Sequence, residues 1–510
     1  MDIIKGEINK INIEDKKILF LGCGAVSKCC LTYLDKYFIF DYTKVIIVDK
    51  SPKEKDFPTV QHYLEQNATF IVKEINKNNY KELFDSLQLR EKDVVIDLTT
   101  RTPTFEFFTY CRLNNLFYTN SSSEESFAKD HKFESMVLQH YNYMDIVRKT
   151  PYCNNVTTLI EYAINPGLIS SFTLKGIDDI ANYFINKNEM NNIIDEELIK
   201  LNNIKSKDRY SLLAKKLKIR VIHCSEIDTQ VVTSNTLSKD KYYNTWSYIG
   251  LIDESYQGIE LAVGTHEKEI PLEKHDVHIN GVFSSSTMCK DVKVKSVVPL
   301  NIDVNNNVIF TEIEGYPIHH GECCSLYRLL SLHDYSPTMH YVYKLNPYAE
   351  DFIVKNKDDT DLIRASYDAD AWEVLNLHNH EIHGYDNVGA LFVLDHAADD
   401  DDVNSNDISN KNKFTWWCGT ILSNEYAKNV LNDDLNSATL IQAMSGVLGG
   451  VYWSLLPENQ NKGLCFGEDV DYNLVLSINK HFLGTVYSGK TNGSTMKSFH
   501  LTDLVCKNFD

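Results

Sequence analysis

The stretch KKILFLGCGAVS, residues 16–27, decides how the chain begins to fold. An apolar run from Ile18 to Leu21 ends in a glycine, and GCGAVS leads into CCLTYLDKYF, whose apolar residues recur at helical spacing. That order is strand, tight turn, helix. Gly22 and Gly24 match the first two glycines of the dinucleotide-binding fingerprint, and Ser27 stands at the third position, where a small residue still lets helix and strand pack closely. The next apolar run, KVIIVDK, ends at Asp49, the place of an acid that holds the adenine ribose hydroxyls. A carboxylate there repels a 2′-phosphate and so favours NAD over NADP, although Lys50 and Lys53 partly offset its charge.

The same alternation runs outward from this unit. TFIVKEI (69–75), a helical NNYKELFDSL, DVVIDLTT (93–100), a helical TFEFFTYCRLNN and LFYTN (116–120) give short apolar strands separated by helices, which predicts a parallel sheet with right-handed crossovers. In such sheets the ligand lies beyond the carboxyl ends of the strands. Ala25, Val26 and Ser27, at the start of the first helix, are therefore expected to line the cofactor together with Thr99, Thr100 and Asn120. Asp97 and the segment from Asn120 to Glu124 are expected to face the cofactor or the reacting centre, while Asp97 reads equally well as a helix cap.

From about residue 150 the pattern changes. TTLIEYAINPGLISSF offers a strand or helix ended by Asn165-Pro166-Gly167, a turn signal. RVIHCSEIDTQVV (220–232) alternates with a period of two and places Glu226 and Asp228 on one face. Further strands are expected at YNTWSYIG, GIELAVGTH, VKVKSVVPL, TMHYVYKL and NVGALFVLD, with few long helices between them. The fold class is therefore α/β: a Rossmann-type parallel-sheet domain over residues 1–155, and a second α+β domain with a mixed or antiparallel sheet over 156–430. A C-terminal helical segment, 431–510, packs back on both, and Gly446, Gly449 and Gly450 within it point to close helix packing or a bend. Residues 397–413, rich in aspartate and asparagine, read as a surface loop, and 183–210 as a helix with an exposed loop.

Composition narrows the function. At 510 residues with 43% hydrophobic side chains the chain has material for at least two cores. The net charge of −20 repels phosphate backbones and anionic membranes, so neither nucleic acid nor membrane is an expected partner. No apolar run is long enough to span a bilayer, and the first residues lack the basic-then-apolar order of a secretory signal, which predicts a cytoplasmic protein. The twelve cysteines form no CxxC pair, so buried reduced thiols are expected rather than a zinc or disulfide framework.

The order GCGAVS, AINPGLIS, SEIDTQ, YNTWSYIGLIDE, VGTHEK, HHGECCSLYRLLSL, SPTMHYVYKLNP and GYDNVGALFVL resembles that of bacterial homospermidine synthases, relatives of the saccharopine dehydrogenase group, from about residue 16 to 490. The loops at 183–210 and 397–413 are longer than that family's norm. The resemblance implies a homodimer that holds NAD and builds homospermidine from two putrescines, or from putrescine and spermidine, without net redox. A hydride leaves an amine carbon, ammonia or diaminopropane departs after attack on the imine, and the new imine is reduced again.

The residues suit that chemistry. Trp246 can hold an ammonium or iminium against its ring face without taking its proton, although an isolated tryptophan followed by acids is more often a core aromatic beside a solvated turn. Glu226 and Glu254 are the acids that the resemblance assigns to the amine, and Glu124 and Asp386 are further candidates. His320 and Glu322, in HHGE, make a proton-handling pair, because imidazole titrates near neutrality; a structural hydrogen-bond network is the competing account. Adjacent histidines splay apart on a strand, so no metal is expected. Asn165 should approach the nicotinamide or the amine, and without the resemblance a turn-forming role is equally open. Two other functions remain in play: a saccharopine- or carboxynorspermidine-type reductase, which would need arginine clamps for substrate carboxylates, and a non-catalytic NAD-binding sensor.

Overall fold

The computed structural model describes residues 8–100, 102–123, 143, 156–190, 194–233, 237–272, 274–279, 281–318, 320–356, 358–359, 369–397, 413–491 and 496–507. The chain forms two compact units. The first takes Met1–Glu134, Leu138–Leu168 and Thr439–Phe482, and the second takes Ser135–Val137, Ile169–Ala438 and Leu483–Asp510.

The first unit is built on seven parallel strands. In chain order they are β1 (Ile18–Leu21), β2 (Val45–Asp49), β3 (Thr69–Val72), β4 (Val94–Asp97), β5 (Phe117–Asn120), β6 (Thr158–Leu159) and a short last strand, Leu464–Cys465. Across the sheet they run β3-β2-β1-β4-β5-β6 and then Leu464–Cys465, every pair parallel. β1 and β4 are buried along their whole length, which is why they read as unbroken apolar runs and not as alternating ones. The strand order reverses between β1 and β4, the switch point at which nucleotides bind in such sheets.

The helix after β1, α1 (Ala25–Tyr37), buries Ser27, Cys30, Leu31 and Leu34, an i, i+3, i+4, i+7 stripe facing the sheet. On the other side of the molecule's sequence, Ala438–Leu455 is a helix whose residues are buried throughout. Its glycines serve close packing: a methyl group on Gly446 would collide with the backbone carbonyl of Ala163, and one on Gly450 would lie 2.5 Å from the Tyr162 ring.

The second unit carries an eight-stranded mixed sheet. Its central strands are β7 (Ile219–Asp228), β8 (Thr338–Lys344) and β9 (Tyr385–Ala397). The order is Lys274–Ile279, Val282–Met288, Gly258–Ala262, β8, β7, β9, Lys413–Ser423, Thr485–Lys490, and among the described pairs of this sheet β8–β7 alone is parallel. The two faces of this sheet differ completely. Val221, Ile227, Val342, Leu391, Val393 and Trp417 pack against Val294, Val297, Phe310 and Ile313 of a second, three-stranded sheet. Cys224, Glu226 and Asp228 of β7 point the other way, because successive side chains on a strand alternate between faces.

Several expectations about local structure are corrected. YNTWSYIG is not one strand: only Tyr242–Asn244 pairs, and the chain then turns into a helix, α2 (Tyr248–Ser255), whose start is fixed by the Ser247 hydroxyl accepting from the Gly250 N–H at 3.2 Å. Of the two alternatives for TTLIEYAINPGLISSF the strand holds, at Thr158–Leu159; Asn165-Pro166-Gly167 forms the expected turn, and a helix, Leu168–Met190, follows it. The helix expected within 183–210 is present as the end of Leu168–Met190, and Glu196–Asn202 and the start of Arg209–Lys216 add two further helical stretches. Residues 398–412 lie outside the described residues. Every described cysteine is a free thiol, and among the described residues no helix is long and apolar enough to cross a membrane.

Candidate active site

In the first unit the turn between β1 and α1 forms a cradle. Gly22 has a φ of 83°, and a Cβ there would meet the Leu98 carbonyl oxygen at 2.8 Å and the Thr99 methyl at 3.2 Å, so the turn lies directly against the loop that follows β4. Gly24 caps α1, and a Cβ on it would meet nothing within 4 Å. That open space above an exposed Gly24 and half-buried Ala25 and Val26 suits a pyrophosphate drawn to a helix N-terminus. Ser27 is fully buried beneath them and packs the helix on the sheet. Asp49 accepts from the backbone N–H groups of Cys23 at 2.6 Å and Ser51 at 2.7 Å. These bonds fix the carboxylate at the tip of β2 and leave it lone pairs for ribose hydroxyls. The residues therefore fit a dinucleotide.

Deeper acids in this unit hold the loops. Asp97 is 3% exposed, accepts from the Thr99 N–H at 3.1 Å and the Thr99 hydroxyl, and from the Tyr118 hydroxyl at 2.8 Å; burial pushes its carboxyl above the usual range, against those hydrogen bonds. Thr99 in turn meets the Thr102 hydroxyl, while Thr100 is exposed at the loop tip. Asn120 uses its amide to tie Ser122 and accepts from the Glu161 N–H at 2.8 Å, which joins the end of β5 to the segment carrying Asn165. Asn165 itself is half-buried on the turn that closes between Ala163 and Pro166. Glu124 lies outside the described residues.

In the second unit the polar face of the sheet gathers most of the amine-binding candidates. The parallel register sets Tyr341 beside Cys224 and Tyr343 beside Glu226, and the antiparallel register sets Asp386 beside Asp228. The Tyr341 hydroxyl donates to Glu226. His320 stacks obliquely on Tyr341, ring centroids 4.6 Å apart, and stands between two acids: its Nε2 is 4.0 Å from Glu254 and its Nδ1 3.8 Å from Glu322. Glu254 comes from α2, and Glu322 opens a further helix, α3 (Glu322–Leu330). Glu226, Glu254, His320, Glu322 and Asp386 are all more than nine-tenths buried.

Trp246 precedes α2, and its indole lies against Gly250, where a Cβ would come within 2.6 Å of the ring. The indole N–H is buried and has no hydrogen-bond partner among the described residues. Burial, reinforced by the charges of Glu226, Asp228 and Asp386, holds the Tyr343 phenol well above its ordinary pKa, so it stays neutral. Tyr341 is raised in the same way, by burial and by Glu226. Sequence reasoning passed over both tyrosines, although the alternation in TMHYVYKL places them on one face; what it lacked was the register that brings β8 alongside β7.

One cluster has metal-ligand spacing among the described residues: His266, Glu267 and His500. Glu267 accepts from the Thr338 hydroxyl at 2.9 Å and from the Leu501 N–H, and His266 Nε2 lies 3.1 Å from the Phe499 carbonyl oxygen. A ring nitrogen that donates to a carbonyl is not a ligand. The cluster reads as a clasp on the C-terminal segment.

Comparison with known proteins agrees with this geometry. Residues 18–148 match the family described as the saccharopine dehydrogenase NADP binding domain. Homospermidine synthases from Blastochloris viridis and Mesorhizobium japonicum are each 24% identical over 92% of this chain, which covers 90% and 89% of their lengths. The crystal structure of the homospermidine synthase of Legionella pneumophila, solved in complex with NAD, superposes with a TM-score of 0.75 at 23% identity, covering 98% of this chain and 99% of that one. In sequence along nearly its whole length, and in fold, this chain is similar to homospermidine synthases, with a nucleotide-binding region of the saccharopine dehydrogenase type.

Proposed function

We propose that the protein is an NAD-dependent homospermidine synthase, which transfers an aminobutyl group from one putrescine, or from spermidine, to a second putrescine. The observation that carries this reading is the polar face of the second unit's sheet, where Glu226, Glu254, Glu322 and Asp386 accompany an indole, two phenols and an imidazole. A doubly protonated diamine is the ligand such a face suits. Charge-assisted hydrogen bonds to carboxylates hold one ammonium, and the ring of Trp246 steadies the cation at the reacting end.

Gly22, Gly24 and Asp49 would hold NAD, which when bound would supply the hydride acceptor and donor. Everything else falls to the chain. The reacting ammonium must lose a proton before hydride can leave the neighbouring carbon; this reading gives that proton to His320, with Glu322 stabilising the imidazolium that results, and makes Glu254 an anchor for the amine. Glu226, oriented by Tyr341, binds the amine. Trp246 has no basic lone pair and so cannot deprotonate the iminium it faces. The second putrescine's amine attacks that iminium, ammonia leaves, and reduction of the new imine gives homospermidine. Asn165 and Asp386 complete the reading as amine or nicotinamide contacts, and Asp97 as support for the Thr99–Thr100 loop.

A carboxylate-bearing substrate is less well served. Arg328 is exposed on α3 and Arg101 lies outside the described residues, so among the described residues near these segments the reductase reading finds no buried arginine clamp. A sensor would need the cradle but not the acid-lined face. The decisive assay incubates the purified protein with NAD and putrescine and looks for ammonia and a triamine. A reductase would require an oxo substrate and added reduced cofactor, and a sensor would form no product; either result replaces this reading. The same reading makes the enzyme a cytoplasmic homodimer, as the family resemblance implies.

A further inference from the structure

Asp228 is fully enclosed two residues beyond Glu226 on β7, and its carboxylate is surrounded by donors. One oxygen accepts from the Gln230 N–H at 2.9 Å and the Gln230 side chain at 3.1 Å. The other accepts from the Thr245 hydroxyl at 2.6 Å and from the Asn346 amide at 3.3 Å. The same Asn346 amide reaches the Asn244 side chain at 2.9 Å, and its oxygen accepts from the N–H groups of Tyr348 and Ala349. Asp228, Gln230, Asn244, Thr245 and Asn346 are all 2% exposed or less.

A buried, fully hydrogen-bonded carboxylate is a costly way to fill a core, and apolar residues of equal volume would often serve stability as well. What this one fixes is Thr245, the residue immediately before Trp246. From the other side, Ser247 caps α2 and Gly250 lets the indole lie on the helix. We infer that Asp228, Thr245 and Asn346 act as positioning residues that set the aim of the Trp246 ring, with no contact of their own to the substrate. This inference rests on the amine-handling reading above.

The test is a double-mutant cycle on the full-length enzyme with NAD and putrescine. Thr245→Val removes the hydroxyl at constant shape and is expected to lower kcat roughly tenfold or more, since it leaves a buried carboxylate short of a donor. Thr245→Ser, which restores the hydroxyl, is expected to recover most of that loss. In a Trp246→Phe background the same Thr245→Val change is expected to cost much less, because a residue acting only through the indole has little left to position. Thr245→Ala replaces Thr245→Val if the latter does not fold. Equal losses in both backgrounds, or full activity in Thr245→Val, overturn the inference while leaving the reaction intact. A wild-type protein that makes no triamine from putrescine overturns the amine-handling reading and this inference with it.

Discussion

An indole holds a cation through its quadrupole and offers no site for the proton, whereas a carboxylate or imidazole nearby would take it. The division of labour proposed for Trp246 and Glu254 rests on that difference. Trp246→Ala is expected to lower turnover of putrescine by at least tenfold, with NAD still retained on gel filtration; Trp246→Phe, whose ring keeps a weaker quadrupole, should keep a measurable part of the activity. Equal loss in the two variants would argue that the ring is needed for shape alone. Glu254→Gln keeps the size of the side chain and removes its charge beside His320. It should raise the apparent KM for putrescine by roughly tenfold, the scale of one charge-assisted hydrogen bond; an unchanged KM would remove Glu254 from the amine anchor.

At the scale of the element, α2 is the piece on which the site turns, and it is also the piece that the sequence misstates. Tyr, Trp and Ile favour strands, so YNTWSYIG reads as one, but the hydroxyl of Ser247 satisfies the first turn of a helix and the strand stops at Asn244. Gly250 then sits under the indole. Gly250→Ala should stabilise the isolated helix, as alanine does in most helix interiors, yet push the ring aside by the methyl group that has no room at 2.6 Å. The expected outcome is a folded protein with a circular dichroism spectrum like the wild type and a kcat reduced several-fold; unchanged kcat would mean the ring is free to shift. The Rossmann half was legible for a different reason, since β1, β2 and β4 are buried on both faces and their apolar runs need no partner to be recognised. Glu226 and Asp228 were legible as one face of β7. Tyr341 and Tyr343 were not, because they join that face only through the pairing of β8 with β7, over a hundred residues apart in sequence, and Asn346 reaches Asp228 only by its side-chain amide.

At the scale of the whole molecule, the second unit's sheet sets an acid- and phenol-rich face against an apolar one, and the apolar face hides two histidines. His223 and His340 are directly paired across β7 and β8, their rings 4.6 Å apart, and neither is exposed. His223 Nδ1 meets the Ser296 hydroxyl at 3.0 Å, while neither ring nitrogen of His340 finds a hydrogen-bond partner among the described residues. Burial lowers both, His340 from 6.5 to about 4, and His223 further depressed by its neighbour. Both are therefore neutral in the folded protein, and the unfolded chain binds protons that the folded one does not once the pH drops below the ordinary histidine value. Stability is then fully present above about pH 6.5, falls as the pH falls toward about 4, and for His340 levels off below that, where the folded state protonates as well. The loss assignable to His340 across that window is about 3 kcal/mol. His340→Leu removes the titrating ring and an unsatisfied polar group together, so it should match or exceed the wild type in urea midpoint at pH 7.5 and lose distinctly less between pH 7.5 and pH 5. The difference between the two proteins isolates this histidine from Glu267, whose hydrogen bonds to His266 and Leu501 outweigh burial and lower its carboxyl, so that its own contribution is lost only in more acidic solution. Parallel pH profiles for the two proteins would place the acid sensitivity elsewhere and show that the histidine pair is not what burial makes it.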